Sequence, residues 1–100
     1  MLSIEQLREQ IQDRDRDIIR SLALRQDLCK KIALLKKKAG KQVIEVAQEK
    51  KNFAFYESLS KECALDPEFI ACLFRLIIIN SRTLQQKICQ FESVRPQTER

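Results

Sequence analysis

The chain has 100 residues, 44% of them hydrophobic, with one glycine, two prolines and a formal net charge of +5. That length makes one domain and is too short for a two-domain enzyme carrying its own cofactor fold, and the composition excludes a low-complexity polypeptide. There is no histidine and the four cysteines, Cys29, Cys63, Cys72 and Cys89, form no CxxC pair, so no zinc site is expected and the thiols read as reduced.

The first predicted helix opens at Ser3, with Gln6 three residues later in a capping-box pattern, and ends at Lys38, before Ala39-Gly40, where glycine can take the left-handed cap. Its apolar stripe is Ile4, Leu7, Ile11, Ile18, Leu22, Cys29 and Ile32. At about 100° per residue, Arg8, Arg25 and Lys36 fall in the same sector. A buried cation costs several kcal/mol unless an anion meets it, so the three point to an anionic partner or ligand inside the fold. A helix of about 54 Å is also longer than the roughly 34 Å diameter of a compact domain of this size. The stripe is therefore expected to pack against a second copy in a two-fold dimer. Arg25 and Lys36 share a face about 16 Å apart along the axis and can converge on one ligand. Arg8, about 26 Å from Arg25, reaches that ligand only from an antiparallel partner chain.

After a short loop from Lys41 to about Ile44, a second helix is predicted over roughly Glu45 to Cys63, with Val46, Phe53, Tyr56 and Leu59 on one face. Glu45 and Glu49, four residues apart, can look the same way. Asp66-Pro67 is a strong start for a third helix, which is expected to reach about Phe91 and carries Ile70, Leu73, Ile77, Leu84 and Ile88. Its segment Leu73 to Ile79 is apolar nearly all round and is expected at the heart of the bundle. Ser81 and Gln85 lie on its stripe at i and i+4. Residues 1–92 read as one helical domain, and residues 93–100 as a polar, flexible tail.

The lysine clusters Lys30-Lys31, Lys36 to Lys38 and Lys50-Lys51 read as solvated helix faces, and no nucleic-acid motif or interleaved aromatics accompany them. The N-terminus lacks a basic region followed by an apolar core, and the longest apolar run, Leu76 to Ile79, is far too short for a bilayer. The expectation is a cytoplasmic protein with neither a nucleic-acid nor a membrane partner.

The polar set on the inward faces holds no histidine base, no Ser-His or Cys-His pair, no phosphate-cradling glycine loop and no metal cluster. Neither a metal nor a cofactor is expected. What remains is the binding of an anionic small molecule, or catalysis by positioning and electrostatics alone. A pericyclic rearrangement of a dicarboxylate needs no more than this. Two arginines can each grip a carboxylate, and a lysine and a glutamine can donate to an ether oxygen as negative charge develops there.

In LREQI around Arg8, LALRQDL around Arg25, Lys36 eleven residues on, VIEVAQE around Glu45 and Glu49, and LFRLIIINSRTLQQ with Ser81 and Gln85, the chain resembles the all-helical chorismate mutases. The resemblance spans about Ile4 to Gln90. It implies an all-α fold, a three-helix protomer with one very long N-terminal helix, intertwined as a homodimer with two active sites. It also implies that chorismate, a dicarboxylate, rearranges to prephenate in phenylalanine and tyrosine biosynthesis. By position, Arg25 and the partner's Arg8 would bind the carboxylates with help from Ser81, Lys36 and Gln85 would address the ether oxygen, and Glu49, with the backbone near Glu45, would take the ring hydroxyl. Gln48, counted in the substrate-binding set, stands where well-known members carry an arginine, so a cation organising Glu45 and Glu49 is expected to be missing. Glu45 replaces a common aspartate. The alternatives are an isochorismate pyruvate lyase on the same scaffold and a non-enzymatic, anion-binding helical dimer.

Overall fold

The computed structural model describes residues 1–42 and 44–98, with side chains through residue 90. It contains three helices, α1 (Ile4–Lys38), α2 (Val46–Glu62) and α3 (Pro67–Thr98), and no strand among the described residues.

Four of the six helix ends have a local cause. The Ser3 hydroxyl accepts from the Gln6 amide at 3.1 Å while the Ser3 amide donates to Gln6 Oε1 at 2.8 Å, which completes the expected capping box. At the other end Gly40 takes φ +68°. The amides of Gly40 and Lys41 return to the carbonyls of Lys37 and Lys36, closing the helix as a Schellman motif. Residues 60 to 65 close α2 in the same way, but with Ala64 at φ 57° in the left-handed position. No glycine marks that turn in the sequence, and alanine holds it at a cost of about 1 to 2 kcal/mol. Asp66 caps α3 by accepting from the Glu68 amide at 3.0 Å.

The third helix continues past its expected end near Phe91, as far as Thr98. A polar composition points to a tail, but polarity alone does not stop a helix, and the helix breaker of this stretch, Pro96, stands only two residues before Thr98. Residues 99 and 100 of that expected tail lie outside the described residues.

Contacts between helices follow a simple order. Arg25 meets Ser81, Gln85 reaches Cys29, and Lys37 reaches Cys89, so α1 and α3 run parallel. Glu49 meets Arg82 while Tyr56 stacks on Phe74 with ring centroids 4.0 Å apart, so α2 runs antiparallel to α3. Helix α3 is thus the common platform. The face α1 turns toward it is Leu22, Arg25, Gln26, Cys29, Ala33 and Lys36, with Ala33 fully buried. A side chain that small lets two helix backbones approach closely.

Everything in α1 before Leu22 is exposed, including Ile4, Leu7, Ile11 and Ile18 of the apolar stripe. The protomer measures 67 × 30 × 17 Å with a radius of gyration of 18.1 Å, against about 13 Å for a compact domain of this length. The expectation that Leu73 to Ile79 fills the centre of the bundle does not hold within one protomer. Ile78 is buried, but Leu76 and Ile79 are 68% and 57% exposed. Two neighbours cover only two sectors of a segment that is apolar nearly all round. No helix among the described residues is long and apolar enough to cross a membrane.

Candidate active site

The three helices meet where the second half of α1, the first turns of α2 and the middle of α3 come together. They enclose a cleft of about 160 Å³ lined by Arg25, Glu45, Glu49, Ser81, Arg82 and Gln85, with Gln48 and Asn52 at its α2 wall. Six of the residues singled out in the sequence, Arg25, Glu45, Gln48, Glu49, Ser81 and Gln85, therefore share one cavity although they come from three separate segments.

Arg25 is aimed by α3. Its Nη1 donates to Ser81 Oγ and, at 3.7 Å, to Cys29 Sγ one turn along α1. The Ser81 hydroxyl is buried and donates its proton to the Ile77 carbonyl at 2.9 Å, so its lone pairs face the guanidinium. Arg25 is thereby pre-oriented, as a side chain that must grip a carboxylate with paired donors requires. Gln85, also buried, donates from Nε2 to the Cys29 carbonyl at 3.0 Å. The amide carries two N–H donors, so one fixes its plane against α1 while the other can serve a ligand.

Lys36 joins the site through its edge. Its Nζ lies 3.3 Å from Glu45 Oε1, and the lysine side chain is only 17% exposed. Glu45 is the N-cap of α2 without making a side-chain cap; its carboxylate is turned back to the last turn of α1 instead. Gln48 donates to Asn52 Oδ1 at 3.0 Å and brings no charge. Arg8 stands apart: it is exposed and pairs with Glu5 at 2.9 Å within its own helix, on the half of α1 that no other helix of the protomer touches.

One charged group at the cleft lies outside the set that the sequence singles out. Arg82 donates from Nε at 2.9 Å and from Nη2 to the same oxygen, Oε1 of Glu49. The cation expected to be missing beside Glu49 is therefore present, supplied by α3 rather than by position 48. Its sequence signal was proximity: Arg82 follows Ser81 and precedes Gln85 by three residues, about 60° from it around the helix. Among the described residues no buried side-chain nitrogen or oxygen lacks a partner.

The arrangement presents two arginines, two carboxylates and a neutral amide donor around one small cavity, with Lys36 beside Glu45, and a net positive charge that suits a compact anion. Over residues 7–86 the chain matches the family described as chorismate mutase type II. Comparison with curated proteins gives no match.

Proposed function

The chain belongs to the type II chorismate mutase family, and from that premise we propose that it is an isomerase converting chorismate to prephenate in the cytoplasm, for aromatic amino acid biosynthesis. The observation that carries the proposal is the convergence of Arg25, Ser81, Glu49 and Gln85 on one cleft, with Lys36 held at its edge by Glu45. No proton transfer, covalent intermediate or cofactor is called for. Within one molecule the ether C–O bond breaks as a new C–C bond forms, and the electrons move around a six-membered ring.

What the protein supplies is geometry and charge. Arg25 grips one carboxylate and holds the flexible side chain of the substrate over its ring, so that the cost of ordering it is met on binding. As the C–O bond stretches, negative charge gathers on the ether oxygen. The Lys36 ammonium and the second Gln85 N–H meet it there, and such donors count for most where water is excluded. Glu49 accepts the ring hydroxyl, assisted by the backbone near Glu45.

The second carboxylate needs a further cation, and we assign it to Arg8 of a partner subunit. Support comes from the exposed stripe Ile4, Leu7, Ile11 and Ile18, and from a largely apolar cavity of about 370 Å³ lined by Phe55, Tyr56, Leu59, Ile70 and Phe74 together with Arg25. A second copy of α1 laid along that surface would cover both. The exposed Arg8–Glu5 pair is worth at most about 1 kcal/mol, so Arg8 is easily drawn away from it. Residues 1–92 would form the working domain of each subunit in an intertwined homodimer.

Two measurements test the reaction. Purified protein given chorismate should form prephenate, and given isochorismate should release no pyruvate. Pyruvate from isochorismate without prephenate from chorismate would make it the lyase instead. Because the amide of Gln85 does not titrate, the rate should also stay level between about pH 6 and about pH 8, where a carboxyl group in that place would have to be protonated to donate. A steep fall across that interval would contradict the assignment of Gln85 to the ether oxygen.

A further inference from the structure

Arg82 and Glu49 come from different helices and meet at the cleft, with their side chains 33% and 26% exposed. Both donors of the arginine converge on Oε1 of the carboxylate. A guanidinium usually spreads over both oxygens of its partner; here both donors use Oε1, and among the described residues no hydrogen bond to the second oxygen, Oε2, competes with another donor. The other charged groups around the cleft are committed elsewhere, Lys36 to Glu45 and Arg25 to Ser81, while Gln48 turns its amide to Asn52. The half-buried charge of Glu49 is thus met from α3. The same helix carries Gln85 one turn further on, so the Arg82 bond ties the position of Glu49 on α2 to that of the amide donor.

We propose that Arg82 is a positioning residue, which holds the Glu49 carboxylate in register with Gln85 so that Oε2 accepts the substrate's ring hydroxyl while Gln85 donates to the ether oxygen. The assignment rests on the chorismate reading above. It makes α3 the source of the hydroxyl acceptor's orientation, in place of a cation at position 48.

The test is a double-mutant cycle on the full chain with chorismate as substrate. Arg82→Ala should lower kcat/KM by about 10- to 100-fold, as expected for a misplaced binding group, with its helical circular dichroism unchanged. In the Glu49→Gln background the same replacement should cost less than about twofold, since the group it orients has lost its charge. A residue that merely supports the fold would exact the same penalty in both backgrounds. Should Arg82→Ala lose its helicity, Arg82→Lys carries the same comparison, because it keeps the charge but not the two-donor grip. An Arg82 variant with parental kinetics, or with equal losses in the two backgrounds, overturns the assignment while leaving an active parent as a mutase. A parent that forms no prephenate removes the functional reading and the role of Arg82 with it.

Discussion

Replacing Lys36 by alanine is expected to lower kcat by at least about 10²- to 10³-fold, equivalent to about 2.7 to 4 kcal/mol of transition-state stabilisation, in a protein that stays folded. The two halves of this expectation have separate causes. The ammonium is held at the cleft edge by Glu45 at 3.3 Å, where it can meet charge that exists only as the ether bond breaks. Interactions of that kind act on kcat rather than on ground-state binding. The fold should survive, because Glu45 is 44% exposed and water can solvate its carboxylate when the lysine is gone, and the packing lost is that of one lysine stem. Circular dichroism and prephenate formation, measured on parent and Lys36→Ala side by side, check both. A non-enzymatic anion-binding dimer would show no turnover in the parent, and the replacement would then be neutral or stabilising.

Mixing two inactive variants should restore activity. When Arg8→Ala and Lys36→Ala chains are unfolded together in equal amounts and refolded, half the dimers are mixed. In each mixed dimer one site takes intact Lys36 from the first chain and intact Arg8 from the second, while the other site bears both lesions. About a quarter of all sites are then whole, so recovery should approach about 25% of parental turnover for a closed two-fold dimer. If Arg8 served the site of its own chain, every site in the mixed dimer would carry one lesion. Mixed dimers demonstrated by mass spectrometry but without recovered turnover would exclude the shared site. The result matters because within one protomer Arg8 is bound to nothing but Glu5 among the described ion pairs, and helix rise separates it from Arg25 by about 26 Å.

Much of the cleft is legible in the chain itself, for reasons that differ by residue. Ser81 and Gln85 stood out as polar groups on an apolar helical stripe, and both are buried against α1. Arg25 stands out for the same reason; it is only half-buried, so its charge keeps contact with solvent while Ser81 fixes its aim. Glu49 was placed by its spacing from Glu45, yet its partner was not, because Arg82 lies at the margin of the α3 face where a solvated arginine would equally stand. The neutral residue at position 48 suggested a missing charge. Tertiary structure shows that charge supplied from a segment 33 residues away in the chain.

The three helices are written into the sequence, and so are both ends of α1 and the start of α3, because a capping box, a glycine cap and an Asp-Pro start act through bonds spanning only a few residues. The sequence also determines that α1 outruns its own fold, since helix rise is constant and the stripe is long. Which side chains meet is settled by the tertiary structure: the parallel course of α1 against α3, the exposed Leu76 and Ile79 of a segment apolar nearly all round, and the Arg82–Glu49 bond. Those depend on how each helix is rotated and slid against its neighbour. That rotation is chosen by the packing of whole faces, such as Ala33 against α3 and Tyr56 on Phe74, and no local spacing encodes it.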